Sequence, residues 1–364
     1  MRLPIKVATA IRSRKLIAPG ARVLVALSGG PDSVALLLCL IELSRKRDLG
    51  ISVAAAHLNH RLRGRAAVQD QIFCERLCRK LNVDFTTAHC EVARLAGVLK
   101  RSREDAGRLA RRAFLAQAAQ VRGCSVVATA HHADDRIETV LYRLCRGSGI
   151  AGLSGIGWSD ALALSNAPDV SDWLRWEQGG KTVGAPFIPP LCKPPERIVR
   201  PLLGCRKTEI VAYLKQRKQR YCTDRSNFDT RIPRNAIRSL VLPVLESNVH
   251  SGVRAALWRL AEEAEVHAER TEWRRGWLEA IAALGSRGYL ALPVPRLGSA
   301  PTPEELADVL NLLKTVWRVK NLEVNSKHLG LLRGLFGPSG AHRRIPLPGK
   351  VVAERREREV WIHR

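Results

Sequence analysis

Acidic residues are scarce in this chain. Thirty-four Asp and Glu stand against 60 Lys and Arg in 364 residues, leaving a formal charge of +26 and an isoelectric point near 10.6. A positive excess of this size fits a polyanionic partner such as nucleic acid, with a merely solvated basic surface as the plainer alternative. Long apolar runs are also missing. The longest falls far short of a membrane span. The first sixteen residues carry charge but no continuous apolar stretch of the secretory kind. No long basic amphipathic anchor is present. The expectation is a cytoplasmic protein with no membrane contact. Nine cysteines occur, at 39, 74, 78, 90, 124, 145, 192, 205 and 222. They are odd in number, scattered, and form no CxxC pair. In a chain this long with no secretory stretch the expectation is no disulfide framework, and nothing in the spacing supports a zinc or iron–sulfur site. Cys74 and Cys78, four apart, read as core positions of a helix. There is no internal repeat or low-complexity tract, and GxxxxGK[ST] with its lysine is absent.

What the chain does have is length for a full core, with room for two or three domains. Its apolar and charged fractions, 46% and 26%, are those of a soluble globular protein. The first half alternates short apolar runs at 23–27, 51–56, 83–88 and 125–129 with helical patterns near 33–43, 67–81 and 102–121. In the last of these, Leu109, Ala113 and Ala116 share one face, while Arg108, Arg111 and Arg112 point toward another. Such alternation predicts a doubly wound parallel sheet of Rossmann-like type, with ligands at the carboxyl ends of its strands. Residues 159–195, rich in Pro and holding Gly179 and Gly180, read as a loop-rich insertion that Trp173 and Trp176 order at best partly. Regular structure resumes at Ile198, with a helix over 207–216. From about Ser251 helices are predicted at 253–284, 303–319 and 326–336, then short strands at 344–347, 351–353 and 359–362. The division expected is a domain over 1–245 and a smaller helical region over 246–364 that ends in a short β-containing module.

Four segments carry chemistry. Ser28-Gly-Gly-Pro-Asp-Ser33 joins the run ending at Leu27 to the helix opening at Val34. Glycines let a backbone approach an anion closely, and Pro31, Asp32 and Ser33 suit a helix entry whose dipole favours negative charge. An ordinary capped turn reads the same way. Thr129-Ala-His-His-Ala-Asp-Asp-Arg-Ile-Glu-Thr139 follows a strand, with Asp134 and Asp135 four and three residues before Glu138. On a helix starting near Ala133 these acids are neighbours on one face. Two histidines and three acids in so few residues exceed what capping requires, and suit a cationic substrate, magnesium, or both. His57, Asn59 and His60 precede Arg61 and Arg63, again at a strand end. Arg231, Arg234 and Arg238 follow an Asn/Asp-rich turn, and Pro233 opens a helix there. They supply planar donors for phosphate or carboxylate. The phosphate turn, His57 and His131 all fall at strand ends, where they can share one crevice.

The hexapeptide resembles the PP-loop of ATP pyrophosphatases. In order along the chain come SGGPDS, HLNHRLRG, EDAGRLARRAF (104–114), the block 129–157, RPLL (200–203) and DRSNFDTRIPRNAIR (224–238). The series is similar to the tRNA(Ile)-lysidine synthetase family across residues 22–245. LPGKVVAERREREVWI (347–362) resembles that family's C-terminal module. The resemblance implies ATP-dependent ligation of lysine to C2 of the wobble cytidine in a CAU-anticodon isoleucine tRNA. An adenylated cytidine would be the intermediate, with AMP and pyrophosphate released. A tRNA 2-thiocytidine thiolase-like enzyme, or a catalytically inactive tRNA-binding relative, are the alternatives. The first lacks its paired cysteines here.

By motif position the resemblance places ATP on Ala26, Ser28, Gly29, Gly30, Pro31, Asp32, Ser33 and His57, with Asp32 also near Mg2+. It gives Asp135 and Glu138 to recognition of the substrate lysine, completed by Arg234 and Arg238. Asp32, Arg108, Asp135 and Glu138 form the implied catalytic set, and His131, Arg111 and Asn235 serve tRNA or the intermediate. The segment holding Arg108 departs from the family's EAxARxxRY: Asp105 and Gly107 stand where alanines are usual, and Arg112 where tyrosine is. The partners implied are tRNA and lysine. No protein partner is required, and a homodimer is compatible with the chain.

Overall fold

The computed structural model describes the chain except for residues 1, 47–48, 63, 163–167, 179–180, 184–194, 196, 224–228, 283–288, 295–299, 318–324, 338–342 and 364. Arg63, residues 224–228, both glycines and most prolines of the insertion therefore lie outside the described residues, as do the expected helix ends at 284 and 319. The chain divides into two compact units. The first holds Met1–Cys145 and Gly155–Trp258, the second Arg146–Ser154 and Arg259–Arg364.

In the first unit β1 (Arg22–Ala26), β2 (Ser52–Asn59), β3 (Asp84–His89), β4 (Val126–Ala128) and β8 (Arg197–Val199) run parallel in the order β8-β4-β1-β2-β3. The chain winds one way from β1 to β3 and the other way to β4 and β8, so the switch point lies between β1 and β4. Alternation along β1 assigns its side chains to two cores. Val23 and Val25 pack with α1 (Leu3–Ser13), α2 (Pro31–Ser44), α3 (Arg65–Leu81) and α7 (Lys207–Gln216). Leu24 packs with α4 (Val92–Leu99) and α5 (Arg103–Val121). The apolar run Val34–Leu40 of α2 is buried throughout, consistent with a helix enclosed on all sides. The Ala54-Ala-Ala56 run of β2 is likewise buried.

Two expectations are corrected. Ala113 and Ala116 of α5 are only partly buried. The inward stripe is Ala106, Leu109, Ala110, Phe114, Leu115 and Ala118, and Arg112 is half-buried. The insertion is also more than loop. β5 (Ser159–Ala161) lies antiparallel on β8, while β6 (Arg175–Gln178) pairs with β3 and with β7 (Lys181–Val183). These strands extend the sheet to eight. Trp176 is buried with its ring 5.3 Å from that of Phe114. Strands of three or four residues give too short a period to be seen in sequence.

Helix α10 (Val253–Ala282) leads into the second unit. There β9 (Tyr289–Pro293), β10 (Arg344–Leu347), β11 (Val351–Arg356) and β12 (Glu359–His363) form an antiparallel sheet ordered β10-β11-β12-β9. Its inward residues, Leu290, Leu292, Ile345, Leu347, Val351, Ala353, Val360 and Ile362, pack with α11 (Pro303–Val316) and α12 (Ser326–Leu335). The opposite face is mixed, with the stacked Tyr289 and Trp361 rings, centroids 4.4 Å apart, beside Glu354 and Arg356.

Candidate active site

The site is built at the carboxyl ends of β1, β4 and β8. β1 continues one residue past its end, where Leu27 N–H donates to the Ala56 carbonyl at 2.8 Å. The chain then turns through Ser28–Gly30 into α2. Gly29 takes a left-handed φ of +86°, and a Cβ there would meet the sulfurs of Cys74 and Cys222 at 3.3 Å each. Gly30 stands at the N-cap without a side-chain cap, and Pro31 opens the helix. Ser33 Oγ folds back, accepting from Ser28 N–H at 3.2 Å and donating to the Gly30 carbonyl at 3.0 Å. This sets glycine backbone beside an uncapped helix start, an arrangement that suits phosphate.

Helix α6 (Ala133–Cys145) starts one turn after β4. His132 N–H donates to Asp135 Oδ2 at 3.0 Å, so that oxygen caps the helix. Asp134 accepts from the Lys207 backbone N–H at 2.8 Å and from Arg254 at 2.9 Å. Its role is to fix where α7 begins. The turn and the acidic helix meet through His132, which is 3% exposed. His132 Nε2 lies 3.6 Å from Asp32 Oδ1 and 3.5 Å from Asp135 Oδ2.

Beyond α6 the two expected arginines are in place. Arg234 lies on α8 (Pro233–Ala236). Arg238 lies on the π-helical turn Ile237–Val241 that follows, an insertion of the kind often found at functional sites. Arg238 donates to both oxygens of Glu138, at 2.6 and 2.8 Å. Arg234 reaches Glu138 at 3.3 Å and Asp135 Oδ1 at 3.4 Å. Glu138 is fully buried. Its hydrogen bonds, first of all, hold Arg238 above the ordinary guanidinium range. Burial pushes Asp135 upward, but His132, Arg234, His131 and the His132 N–H together outweigh it and keep its carboxyl below the usual range. His131 Nδ1 is 3.1 Å from Thr129 Oγ1. Burial lowers its pKa to about 4 despite nearby Asp135, so it is neutral near pH 7.

Four carboxylates thus meet four cations: Asp32 with Lys207, Asp134 with Arg254, and Asp135 and Glu138 with Arg234 and Arg238. A phosphate-borne magnesium ion takes only one or two carboxylates. Asp32, at the turn, fits that need. Among the described residues no group of three or more His, Cys, Asp or Glu side chains forms a metal cage by itself.

The remaining expected residues are more dispersed. His57 is 6% exposed, and its Nδ1 lies 2.9 Å from the Leu27 carbonyl, where it braces the strand end before the turn. Ala26 is half-buried at the end of β1, and Arg108 is exposed on α5. Arg111 keeps exposed surface, 3.3 Å from His60 Nε2. Arg112 donates to the Ala161 and Leu162 carbonyls, so the departure from EAxARxxRY is tied to the insertion. Asn235 is buried and donates to the Asp229 carbonyl at 3.0 Å. His132 belongs to the expected 129–139 cluster but has no role of its own there, and Lys207 and Arg254 were not anticipated as site residues. Lys207 opens α7 shortly after the carboxyl end of β8, and that position was the available signal.

A strand, a glycine turn and a buried helix beside the switch point of a doubly wound sheet define a PP-loop domain, and the family described as a PP-loop domain matches residues 5–245. The tRNA(Ile)-lysidine synthase of Porphyromonas gingivalis is 37% identical over 295 residues, covering 80% of this chain and 56% of that protein. That of Chlorobaculum tepidum is 31% identical over 341 residues, covering 92% and 88%. That of Geobacter sulfurreducens is 38% identical over 244 residues, covering 67% and 44%. The chain belongs to the tRNA(Ile)-lysidine synthase family. It spans about half the length of the Porphyromonas and Geobacter relatives and most of the Chlorobaculum one. The U34-tRNA thiolase NcsA of Methanococcus maripaludis, solved with its [4Fe-4S] cluster, shares the fold. Its TM-score is 0.52 at 17% identity, covering 73% of this chain and 79% of that one. No helix among the described residues is long and apolar enough to cross a membrane.

Proposed function

We propose that this chain ligates lysine to C2 of the wobble cytidine in a CAU-anticodon isoleucine tRNA at the expense of ATP. The cytidine O2 attacks the α-phosphorus of ATP and pyrophosphate leaves. Adenylation turns a poor leaving group into a phosphate-stabilised one. An amine of lysine then attacks C2, the C–O bond breaks, and AMP departs with the oxygen. Ser28–Ser33 hold the β and γ phosphates, with Asp32 as the carboxylate toward magnesium. When bound, that ion supplies charge neutralisation.

The observation that carries this reading is the continuity of the two half-sites. One buried imidazole, His132, stands 3.6 Å from Asp32 and 3.5 Å from Asp135. A nucleotide cradle and an acidic pocket side by side suit a base activated by one and attacked from the other. The pocket arrives neutral, each acid already on a cation. A free polyamine entering it would have to strip carboxylates from arginines. Lysine has both charges and exchanges partners without loss: its carboxylate takes Arg234 or Arg238, and its ammonium takes Asp135 or Glu138. Residues 246–364 are assigned to gripping tRNA, although most of the positive excess lies in residues 1–245, and phosphate contacts from either part weaken with salt.

Labelled lysine, ATP and transcripts of the isoleucine and methionine tRNAs that share CAU provide the test. The expected result is incorporation into the isoleucine transcript alone, with one AMP and one pyrophosphate per lysine. ATP-dependent modification without lysine incorporation would overturn the assignment.

A further inference from the structure

The phosphate turn carries no cation of its own: from Leu27 to Val34 there is neither Lys nor Arg. A polyphosphate seated there has only backbone donors and a helix dipole from the turn itself. The structure nevertheless brings one ammonium to its edge, from far along the chain. Lys207 Nζ lies 2.6 and 2.7 Å from the two oxygens of Asp32. Its backbone is not free to drift. Lys207 N–H is held by Asp134 Oδ2 at 2.8 Å, and Asp134 is held in turn by Arg254 at 2.9 Å. Glu209 Oε2, accepting from the Arg206 backbone N–H at 2.9 Å, fixes the same helix start. The main chain is anchored while the four-carbon side chain can swing. Both partners keep solvent access, with side chains 39% and 27% exposed. An ion pair of that exposure contributes little and opens easily.

Resting on the site reading above, we infer that Lys207 supplies the lysine the loop lacks. It neutralises Asp32 when the turn is free and transfers its ammonium to the β and γ phosphate oxygens when the nucleotide binds, releasing Asp32 to magnesium. The exchange leaves neither group without an opposite charge. The carboxylate trades an ammonium for a divalent ion, and the ammonium trades a carboxylate for a phosphate. It also gives the anchoring of the α7 start by Asp134 a use at the site. A lysine on a flexible stem suits a partner swap better than the rigid fork of arginine.

Calorimetric titration of the full chain with inorganic pyrophosphate, in the presence of magnesium, tests this, with AMP as control. AMP has no β or γ phosphate. Lys207→Met is expected to weaken pyrophosphate binding about 10- to 100-fold, the effect of one lost charged hydrogen bond. AMP affinity is expected to stay within about twofold, and Lys207→Arg to recover part of the loss, since it keeps the charge. Equal pyrophosphate affinity in wild type and Lys207→Met would overturn the inference and leave the site reading standing. So would a parallel loss of AMP and pyrophosphate binding with a lowered melting temperature, the mark of a structural strut. Failure of the wild-type protein to bind pyrophosphate at all would overturn both.

Discussion

Arg238 grips Glu138 with two donors of its fork, Nε at 2.6 Å from one carboxylate oxygen and a terminal nitrogen at 2.8 Å from the other, while Glu138 itself has no exposed surface. The two partners are not equivalent. Arg238 keeps 40% of its side-chain surface in contact with solvent and can turn outward if its partner is lost. Glu138 cannot. Breaking a buried pair is costly chiefly for the ion left behind. Arg238→Met is therefore expected to destabilise the first unit by about 2–4 kcal/mol, and Glu138→Gln by about 1 kcal/mol or less. Urea unfolding of the two variants measures the difference, and equal losses would refute the asymmetry. In the lysine-transfer assay Glu138→Gln and Asp135→Asn should chiefly raise the lysine requirement. Unaltered lysine saturation in both would remove them from the lysine pocket.

The insertion contributes a polar strut that a dispensable surface loop would not. Glu177 on β6 accepts from His89 Nδ1 and from Gln71 Nε2, both at 2.5 Å. Gln71 accepts from Asn59 at 3.0 Å, and Asn59 accepts from the Arg61 N–H at 2.9 Å. The chain of bonds runs from the insertion to the end of β2, where the HLNH segment leaves the sheet. Glu177→Ala leaves the buried His89 and the half-buried Gln71 without this acceptor and is expected to cost about 1–2 kcal/mol. A loss below about 0.5 kcal/mol in chemical denaturation, the usual result for a surface change, would contradict this.

The parts legible in sequence were those with local periodicity. The helix over 207–216 and the strand over 344–347 match their expected bounds, and the parallel core strands lie within a few residues of theirs. Helix α1 went unanticipated although Leu3, Val7, Ala8 and Ile11 recur at helical spacing, and α4 because it has only eight residues. The acidic pair was legible because Asp135 and Glu138 share a helix face. Arg234 and Arg238 were legible as planar donors for phosphate or carboxylate, but not as the partners of these two acids. Arg238 meets Glu138 across a hundred residues, and Lys207 meets Asp32 across 175. Local pattern holds no record of such contacts. They exist because β1, β4 and β8 end on the same edge of one sheet.

Acid sensitivity should originate partly at His131. Its folded pKa, about 4, lies below the ordinary 6.5 because burial penalises the charged ring. Between those values the unfolded chain binds a proton that the folded chain does not, so stability falls as pH falls from about 6.5 toward 4 and levels off below. Its contribution across that window is about 1–3 kcal/mol. Asp135 acts in a separate, lower window, since its pKa is held below the normal carboxylate value. His131→Gln should flatten the pH 4–6.5 slope of unfolding free energy by this amount. An unchanged slope would assign the acid sensitivity elsewhere.

The two glycines of the phosphate turn should respond oppositely to the same substitution. Gly29 sits at a φ of +86°, where a Cβ is strained whatever the space, and its Cβ would press on the Cys74 and Cys222 sulfurs. Cys222 N–H also donates to the Gly29 carbonyl at 2.9 Å, so moving the turn disturbs that segment. Alanine there gains a few tenths to 1 kcal/mol by restricting the unfolded chain, but strain of about 1–3 kcal/mol exceeds that gain. Gly30 has an ordinary φ of −69°, and a Cβ there meets only Ser28 Oγ, at 3.5 Å. The fold does not require glycine there; under the proposed function the approach of a phosphate does. Gly29→Ala is thus expected to lower the melting temperature, while Gly30→Ala leaves stability within about 0.5 kcal/mol and weakens pyrophosphate binding. Thermal unfolding and calorimetric titration of the two variants separate the roles. If Gly30→Ala binds pyrophosphate as wild type does, the turn is a fold element and the phosphates lie elsewhere.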